Sequence, residues 1–321
     1  MRQIVIGFDS SCYTTSVAAV SLTGEIVADW RQLLTVGPGA RGLRQQEALF
    51  QHWNNIPGLL HKYRSLSSVK PIAIAYSEKP TQKSRSYLPV FTAGASIAQA
   101  LAAILVLPAL PFTHQEGHIA AGRFGAQGPI ADSFLAAHLS GGTTDFLLVH
   151  EKESGFRITR LGKTLDLNAG QLVDRVGVAL DLPFPAGPWL EKLAGSCPET
   201  DTLAIPSFVQ GYEVSFSGPT EAALRLVAAN RNKGAIARAV FQCIANSAEK
   251  VLRKAMAETG IRDVLLVGGV AANSFIRQRL TKRLGHPAVG GRLYFTPPRL
   301  CTDNAVGIAW LGLSILGGSG K

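Results

Sequence analysis

Apolar residues fall along this chain in short runs that stop on small polar residues, and the arrangement comes round twice. Residues 4–8 (IVIGF) run into Asp9-Ser10-Ser11, residues 12–22 alternate toward a second apolar run, and Gly24 marks a turn into residues 25–34. Runs of this length, rich in Val and Ile and bounded by turn residues, predict strands. A helix is predicted over residues 45–63, and residues 71–80 (PIAIAYSEKP) read as a buried strand. The second set opens at residues 133–151 (SFLAAHLSGGTTDFLLVHE), again an apolar run, a hydroxyl-rich turn and an apolar run. DSSCYTTSVAAV set beside SGGTTDFLLV reads as an internal duplication of one strand–loop–strand unit in preference to two ordinary hairpins. Residues 263–280 (DVLLVGGVAANSFIRQRL) add a buried strand, a Gly-Gly turn and a helix opening near Ala272; an apolar helix over residues 304–316 then runs into GGSG. No low-complexity linker divides the halves. Two α/β lobes are therefore expected, residues 1–128 with 304–321 and residues 129–303, sharing a hinge and a cleft.

One stretch breaks the pattern. Residues 87–113 carry no charge, but Pro89, Gly94, Ser96, Gln99, Pro108 and Pro111 interrupt them. A helix over residues 91–103 and a buried strand over 104–107 account for the run better than a membrane span.

Composition narrows the class. With 46% hydrophobic and 17% charged residues, the 321-residue chain is core-rich, not disordered. Its formal charge of +10 suits a polyanionic or phosphorylated partner, or simply a basic surface. Basic residues gather at Arg231, Lys233 and Arg238, and again at Arg277, Arg279, Lys282 and Arg283. Each group alone reads as a solvated helix face; together they permit an RNA-facing surface. Cys12, Cys197, Cys243 and Cys301 are scattered without a C-x-x-C pair, which argues for a reducing compartment. Met1-Arg2-Gln3 passes at once into a strand-like run, so a cytoplasmic protein without a secretory leader is expected.

The sharpest chemical motif is His114-Gln115-Glu116-Gly117-His118. Histidines at i and i+4 lie on one helix face, so both imidazoles can reach one metal ion; the other reading of the spacing is a pair of surface or helix-end histidines. Glu116 sits midway and points away from both, which argues against the zinc-protease arrangement. In Cys301-Thr302-Asp303-Asn304, either Asp303 or Asn304 can cap the last helix, and a carboxylate there can also complete a two-His, one-carboxylate site. The turns Ser140-Gly141-Gly142-Thr143-Thr144 and Gly268-Gly269-Val270-Ala271-Ala272-Asn273 let backbone approach a phosphate or ribose. Neither has the Walker lysine or the dinucleotide fingerprint. Asp9, at the end of the first strand, is either a metal-side acid or a turn residue.

Taken in order, HQEGH, LSGGTTDFLLV, GKTLDLNAGQLVDRVGVALDLPFPAGPWLEKLA, SFSG, VLLVGGVAANSFIRQRL and CTDNA resemble the TsaD family over nearly the whole chain. These are the transferases that make threonylcarbamoyladenosine in tRNA, formerly described as O-sialoglycoprotein endopeptidases. The resemblance implies the actin-like ATPase (ASKHA) fold, two duplicated α/β lobes around a nucleotide cleft. It implies that His114, His118 and Asp303 bind a divalent metal, iron or zinc. His138, Leu139, Ser140, Gly141 and Gly142 match the phosphate-side loop, with Asp9 and Ser11 beside the nucleotide. Asp174 matches the ribose acid, Gly187 the adenosine-side glycine, and Asn273 and Gly269 the second Gly-Gly turn. The implied ligand is ATP or threonylcarbamoyl-AMP, with magnesium where phosphates need it. The implied partners are tRNA and either a second copy or the other proteins of a synthesis complex, with no membrane.

The chain departs from the family where it reads Ser11-Cys12-Tyr13-Thr14-Thr15 for S-C-D-E-T, Ser140-Gly141-Gly142-Thr143-Thr144 for S-G-G-H-T, and Ser217-Gly218-Pro219-Thr220 for S-G-L-K. The segment of residues 78–91 (EKPTQKSRSYLPVF) replaces a short glycine-rich turn and brings in Lys79, Lys83 and Arg85. These changes leave the metal triad and the nucleotide loops in place and alter residues shaping the acceptor side or the partner interface. They keep two other readings open: a paralogue carbamoylating a non-tRNA acceptor, as similar domains do in HypF-like proteins, and a non-catalytic nucleotide-binding scaffold.

Overall fold

A strand with both faces covered must be apolar along its length, and residues 4–8 meet that condition. The computed structural model, which describes residues 1–36, 43–198 and 200–317, puts them in β1 (Arg2–Ser10) at the centre of a sheet. In chain order there follow β2 (Thr14–Ser21), β3 (Ile26–Leu33), α1 (Gln45–His61), β4 (Val69–Lys79), α2 (Phe91–Leu105), β5 (Ala109–Thr113) and α3 (His114–Gly125). Then come β6 (Ser133–Leu139), β7 (Thr144–Lys152), β8 (Gly155–Lys163), α4 (Ala169–Ala179), α5 (Gly187–Gly195), β9 (Phe208–Gln210), β10 (Glu213–Ser215), α6 (Ser217–Ala228) and α7 (Lys233–Thr259). The chain closes with β11 (Asp263–Val267), α8 (Ser274–Leu284), β12 (Arg292–Phe295), α9 (Pro298–Cys301) and α10 (Val306–Ile315).

Two compact units result: Met1–Gly125 with Glu151–Arg157 and Thr302–Lys321, and Ala126–His150 with Ile158–Cys301. Each holds a five-stranded sheet, ordered β3-β2-β1-β4-β5 in the first and β8-β7-β6-β11-β12 in the second. The orders are the same when each set is numbered from its own first strand. The senses agree as well, since β1–β2 and β6–β7 are antiparallel while β1–β4, β4–β5, β6–β11 and β11–β12 are parallel. The duplication expected from the hydroxyl-rich turns is thus a duplication of sheets.

The turns repeat in detail. In the first, the Ser11 amide donates to the Thr14 carbonyl (3.1 Å) and the Thr14 amide to Ser11 Oγ (3.2 Å). In the second, the Ser140 amide donates to the Thr143 carbonyl (2.8 Å) and the Thr143 amide to Ser140 Oγ (3.0 Å). The flanking register matches too: Ser10 pairs with Thr15, and Leu139 with Thr144.

The core of the second unit wraps α7, whose start is capped by Asn232 Oδ1 accepting from the Gly234 and Ala235 amides. In the first unit, Ala48, His52, Ile56 and Leu59 form the buried stripe of α1.

One expectation fails. Residues 104–107 are not a buried strand: α2 continues to Leu105, Val106 adopts a left-handed conformation (φ 54°), and the strand begins at Ala109. Ile104 and Val106 are 78% and 88% exposed, so apolarity there does not signal burial. No helix among the described residues is long and apolar enough to cross a membrane. Of the GGSG stop, Gly317 follows α10 and residues 318–320 lie outside the described residues.

Candidate metal centre and nucleotide loops

The i, i+4 histidines stand on the first turns of α3, and the segment entering α10 brings Asp303 to them. His114, His118 and Asp303 each offer one ligand atom, all within 4.8 Å of one another. His118 Nε2 lies 3.1 Å from His114 Nε2 and 3.3 Å from Asp303 Oδ1. Two facing imidazole nitrogens repel unless a cation, a proton or a metal, lies between them. Two imidazoles and one carboxylate, mostly buried, are a donor set that fits iron or zinc.

Groups behind the triad aim it. Asp9, with its side chain fully buried, accepts from His114 Nδ1 at 3.0 Å to each oxygen and from the Ser77 hydroxyl. This carboxylate–histidine pairing fixes the tautomer that leaves Nε2 for a ligand. Burial pulls the His114 imidazole toward neutrality, but the charge and hydrogen bond of Asp9 and the charge of Asp303 outweigh it and carry its pKa up to about 9. Asp303 is pushed up by burial, yet the His118 hydrogen bond, both imidazole charges and the Ser11 hydroxyl hold it well below the usual carboxylate range. Ser11 thus meets the carboxylate of the triad, and Asp9 meets its first histidine.

The ambiguity at residues 303 and 304 resolves by division of labour. Asn304 Oδ1 accepts from the Val306 and Gly307 amides at the start of α10, at 3.1 and 3.3 Å, which leaves Asp303 to the histidines. Glu116 faces away, as its position between the histidines implies. Its carboxylate accepts from the Thr113 amide and hydroxyl and from the Phe156 amide. Helices α3 and α10 touch backbone to backbone, since a Cβ built on Gly307 would lie 1.9 Å from the Gly117 carbonyl oxygen.

One support escapes sequence reasoning. His52, fully buried on α1, lies 2.7 Å from Thr15 Oγ1 through Nδ1 and 2.8 Å from the Ser11 carbonyl through Nε2. Its place on the 48-52-56-59 stripe was the available signal that it faces inward.

In the second unit, the end of β6 (His138, Leu139) runs into the Ser140–Gly142 turn. Gly268, in a left-handed conformation, lies where a Cβ would be 2.4 Å from the Leu139 carbonyl oxygen. Gly170, in the first turn of α4, packs on Gly141, and its amide donates to the Ser140 carbonyl at 3.1 Å. These contacts gather both Gly-Gly turns and a helix N-terminus, a setting that receives anions. A side chain at Gly141, Gly142 or Gly269 would meet open space. Asn273 Oδ1 caps α8 by accepting from Ile276, while its buried Nδ2 has no hydrogen-bond partner among the described residues. Asp174 accepts from the Ala186 amide at 2.8 Å, beside Gly187 at the start of α5, and burial raises its pKa despite that bond.

Asp166 is a second residue the sequence did not disclose. Its carboxylate accepts from the Ser215 and Ser217 hydroxyls and from the Phe216 and Leu167 amides, tying the SFSG segment to the turn before α4. Burial raises its pKa, but these bonds outweigh it and hold the group well below its ordinary range. A depressed carboxylate adds stability above its unfolded-state pKa of about 4, and the contribution is lost as pH falls through the folded-state value. Asp166→Asn should therefore lower Tm most between about pH 5 and 7, with the gap narrowing as pH falls below about 4 and closing only as pH passes through the depressed folded-state value. A Tm gap that stays constant across that series would show that the clamp does not depend on charge.

A sequence model of the TsaD family, described as tRNA N6-adenosine threonylcarbamoyltransferase, matches residues 47–310. The protein of that name from Methanopyrus kandleri is 31% identical over 319 residues, covering 97% of this chain and 87% of its own. Among solved structures, T. kodakarensis HypF superposes with a TM-score of 0.64 at 15% identity, over 99% of this chain and 48% of its own. A ROK family glucokinase from Streptomyces griseus does so with a TM-score of 0.55 at 12% identity, over 96% of this chain and 98% of its own. Those likenesses, with the repeated sheets, show an actin-like ATPase fold. The match along residues 47–310 and the identity over almost the whole length show that the chain belongs to the TsaD family.

Proposed function

We propose that this chain transfers a threonylcarbamoyl group from threonylcarbamoyl-AMP to N6 of adenosine 37 in tRNAs that decode ANN codons. The observation that carries the reading is the buried triad of His114, His118 and Asp303, oriented by Asp9 and Ser11, in a member of this family. A divalent iron or zinc ion, when bound, supplies a Lewis acid and a template for the donor. The amides around Ser140–Gly142 and the start of α4 serve the phosphate, where magnesium assists if ATP is the ligand. Asp174, Gly187, Gly269 and Asn273 serve the nucleoside. In the reaction the N6 amine attacks the carbamoyl carbon, forming a C–N bond as the C–O bond to phosphate breaks. The amine gives its proton to solvent and AMP leaves. In this reading the protein works in the cytoplasm, as a homodimer or with other proteins of the synthesis complex.

The loop Ser11-Cys12-Tyr13-Thr14 favours a second reading. Tyr13, 46% exposed, and buried Thr14 stand where the family carries acids. A carbamoyl transfer to an acceptor other than tRNA fits that loss. Complementation of a strain lacking threonylcarbamoyladenosine, read by mass spectrometry of its tRNA nucleosides, separates the readings. The modified nucleoside should return with the parent chain and stay absent with His114→Ala. No modified nucleoside from a folded, metal-loaded protein would move the acceptor away from tRNA. Rescue by His114→Ala would instead remove the metal triad from the reaction.

A further inference from the structure

The basic clusters noted in the sequence are mostly committed within their own unit. Arg238 donates to the Pro198, Ala194 and Cys197 carbonyls, and Arg277 to those of Ala271 and Thr296. Arg279 binds Asn246, Arg283 binds Glu249, and Lys233 faces Asp181. Residues 81–89, the part of the chain that departs most from the family's glycine-rich turn, behave differently. Lys83, Arg85 and Tyr87 are all exposed, Tyr87 by 65%. Neither Lys83 nor Arg85 has an acidic partner among the described residues, while neighbouring Glu78 is held by Lys79.

The segment is also built. Ser86 Oγ accepts from the Thr81 amide and lies 2.9 Å from the Thr81 hydroxyl, and the Ser86 amide donates to the Lys83 carbonyl (3.0 Å). At its root the Pro80 carbonyl accepts from the amide of Gln115, the residue after the metal-side His114 (3.0 Å). Gln82 Nε2 donates to the Phe156 carbonyl (2.5 Å), next to exposed Arg157. A closed loop that holds two cations and an aromatic ring in the open loses little entropy on binding. Cations with an exposed ring suit phosphates together with an unstacked base, the chemistry of single-stranded RNA; an acidic polypeptide would use the cations alone.

We infer that the loop of residues 81–89 is a contact surface for a single-stranded RNA segment, with Lys83 and Arg85 on phosphates and Tyr87 against a base. This deepens the tRNA reading and rests on it. The test is fluorescence anisotropy with a labelled, unmodified tRNA transcript over a salt series, using full-length protein. Lys83→Ser with Arg85→Ser should weaken binding and flatten the slope of log K against log salt by roughly 1.4, at about 0.7 per contact with a single strand. Tyr87→Ser should weaken binding about five- to hundredfold at an unchanged slope. Zinc uptake should stay at the parental level in both, which shows an intact fold. Equal binding by parent and variants overturns the inference and leaves the tRNA reading standing. A parent that binds no transcript removes both. If Tyr87→Ser is neutral and the double variant loses polyglutamate as readily as tRNA, the surface belongs to an acidic protein and the RNA assignment fails.

Discussion

Asp303→Ala should reduce bound zinc or iron from about one ion per chain to near zero, because two imidazoles alone do not make a tight site. Formation of modified nucleoside should fall below detection, while circular dichroism stays as in the parent. Asp9→Asn should act more gently, lowering metal affinity about 10- to 100-fold, since Asp9 orients His114 through its Nδ1 and is not itself one of the three ligands. Elemental analysis of dialysed protein and a chelator titration measure both effects. An Asp303→Ala protein that kept its metal and its activity would remove the triad from the mechanism.

Gly307→Ala is expected to disturb both fold and site. The new methyl would sit 1.9 Å from the Gly117 carbonyl oxygen and 2.8 Å from the Ala121 nitrogen. Helices α3 and α10 would have to part, at a cost of about 3 kcal/mol or more. Because α3 carries both histidines and the entry to α10 carries Asp303, metal affinity should fall together with stability. Gly141→Ala is the control, since its Cβ faces open space. Urea unfolding with and without zinc reads both quantities, and a Gly307→Ala protein as stable as the parent would contradict the packing described.

What the sequence disclosed follows the range of the forces involved. His114 and His118 are one helical turn apart, so their shared face is a local property and legible. Asp303 joins them only through tertiary packing, which is why its spacing alone left it undecided against Asn304. Asp166 reaches Ser215 and Ser217 across some fifty residues, and no periodicity encodes such a clamp. The strands β1, β4, β6 and β11 were readable because burial on both faces demands continuous apolarity. The same rule misled at residues 104–107, where a helix end leaves apolar side chains in solvent.

The paired serine turns carry a further consequence. A hydroxyl has one hydrogen to give, and Ser11 gives its own to Asp303 rather than to the Thr14 carbonyl 3.3 Å away. Ser140 has the same backbone frame, but its hydrogen points to the Thr143 carbonyl across a slack 3.4 Å. An arriving oxyanion can claim that hydrogen at almost no expense to the turn. In the phosphate-binding reading proposed above, the second hairpin would take up with a visiting oxyanion the rotor state that the first already shows with a resident carboxylate.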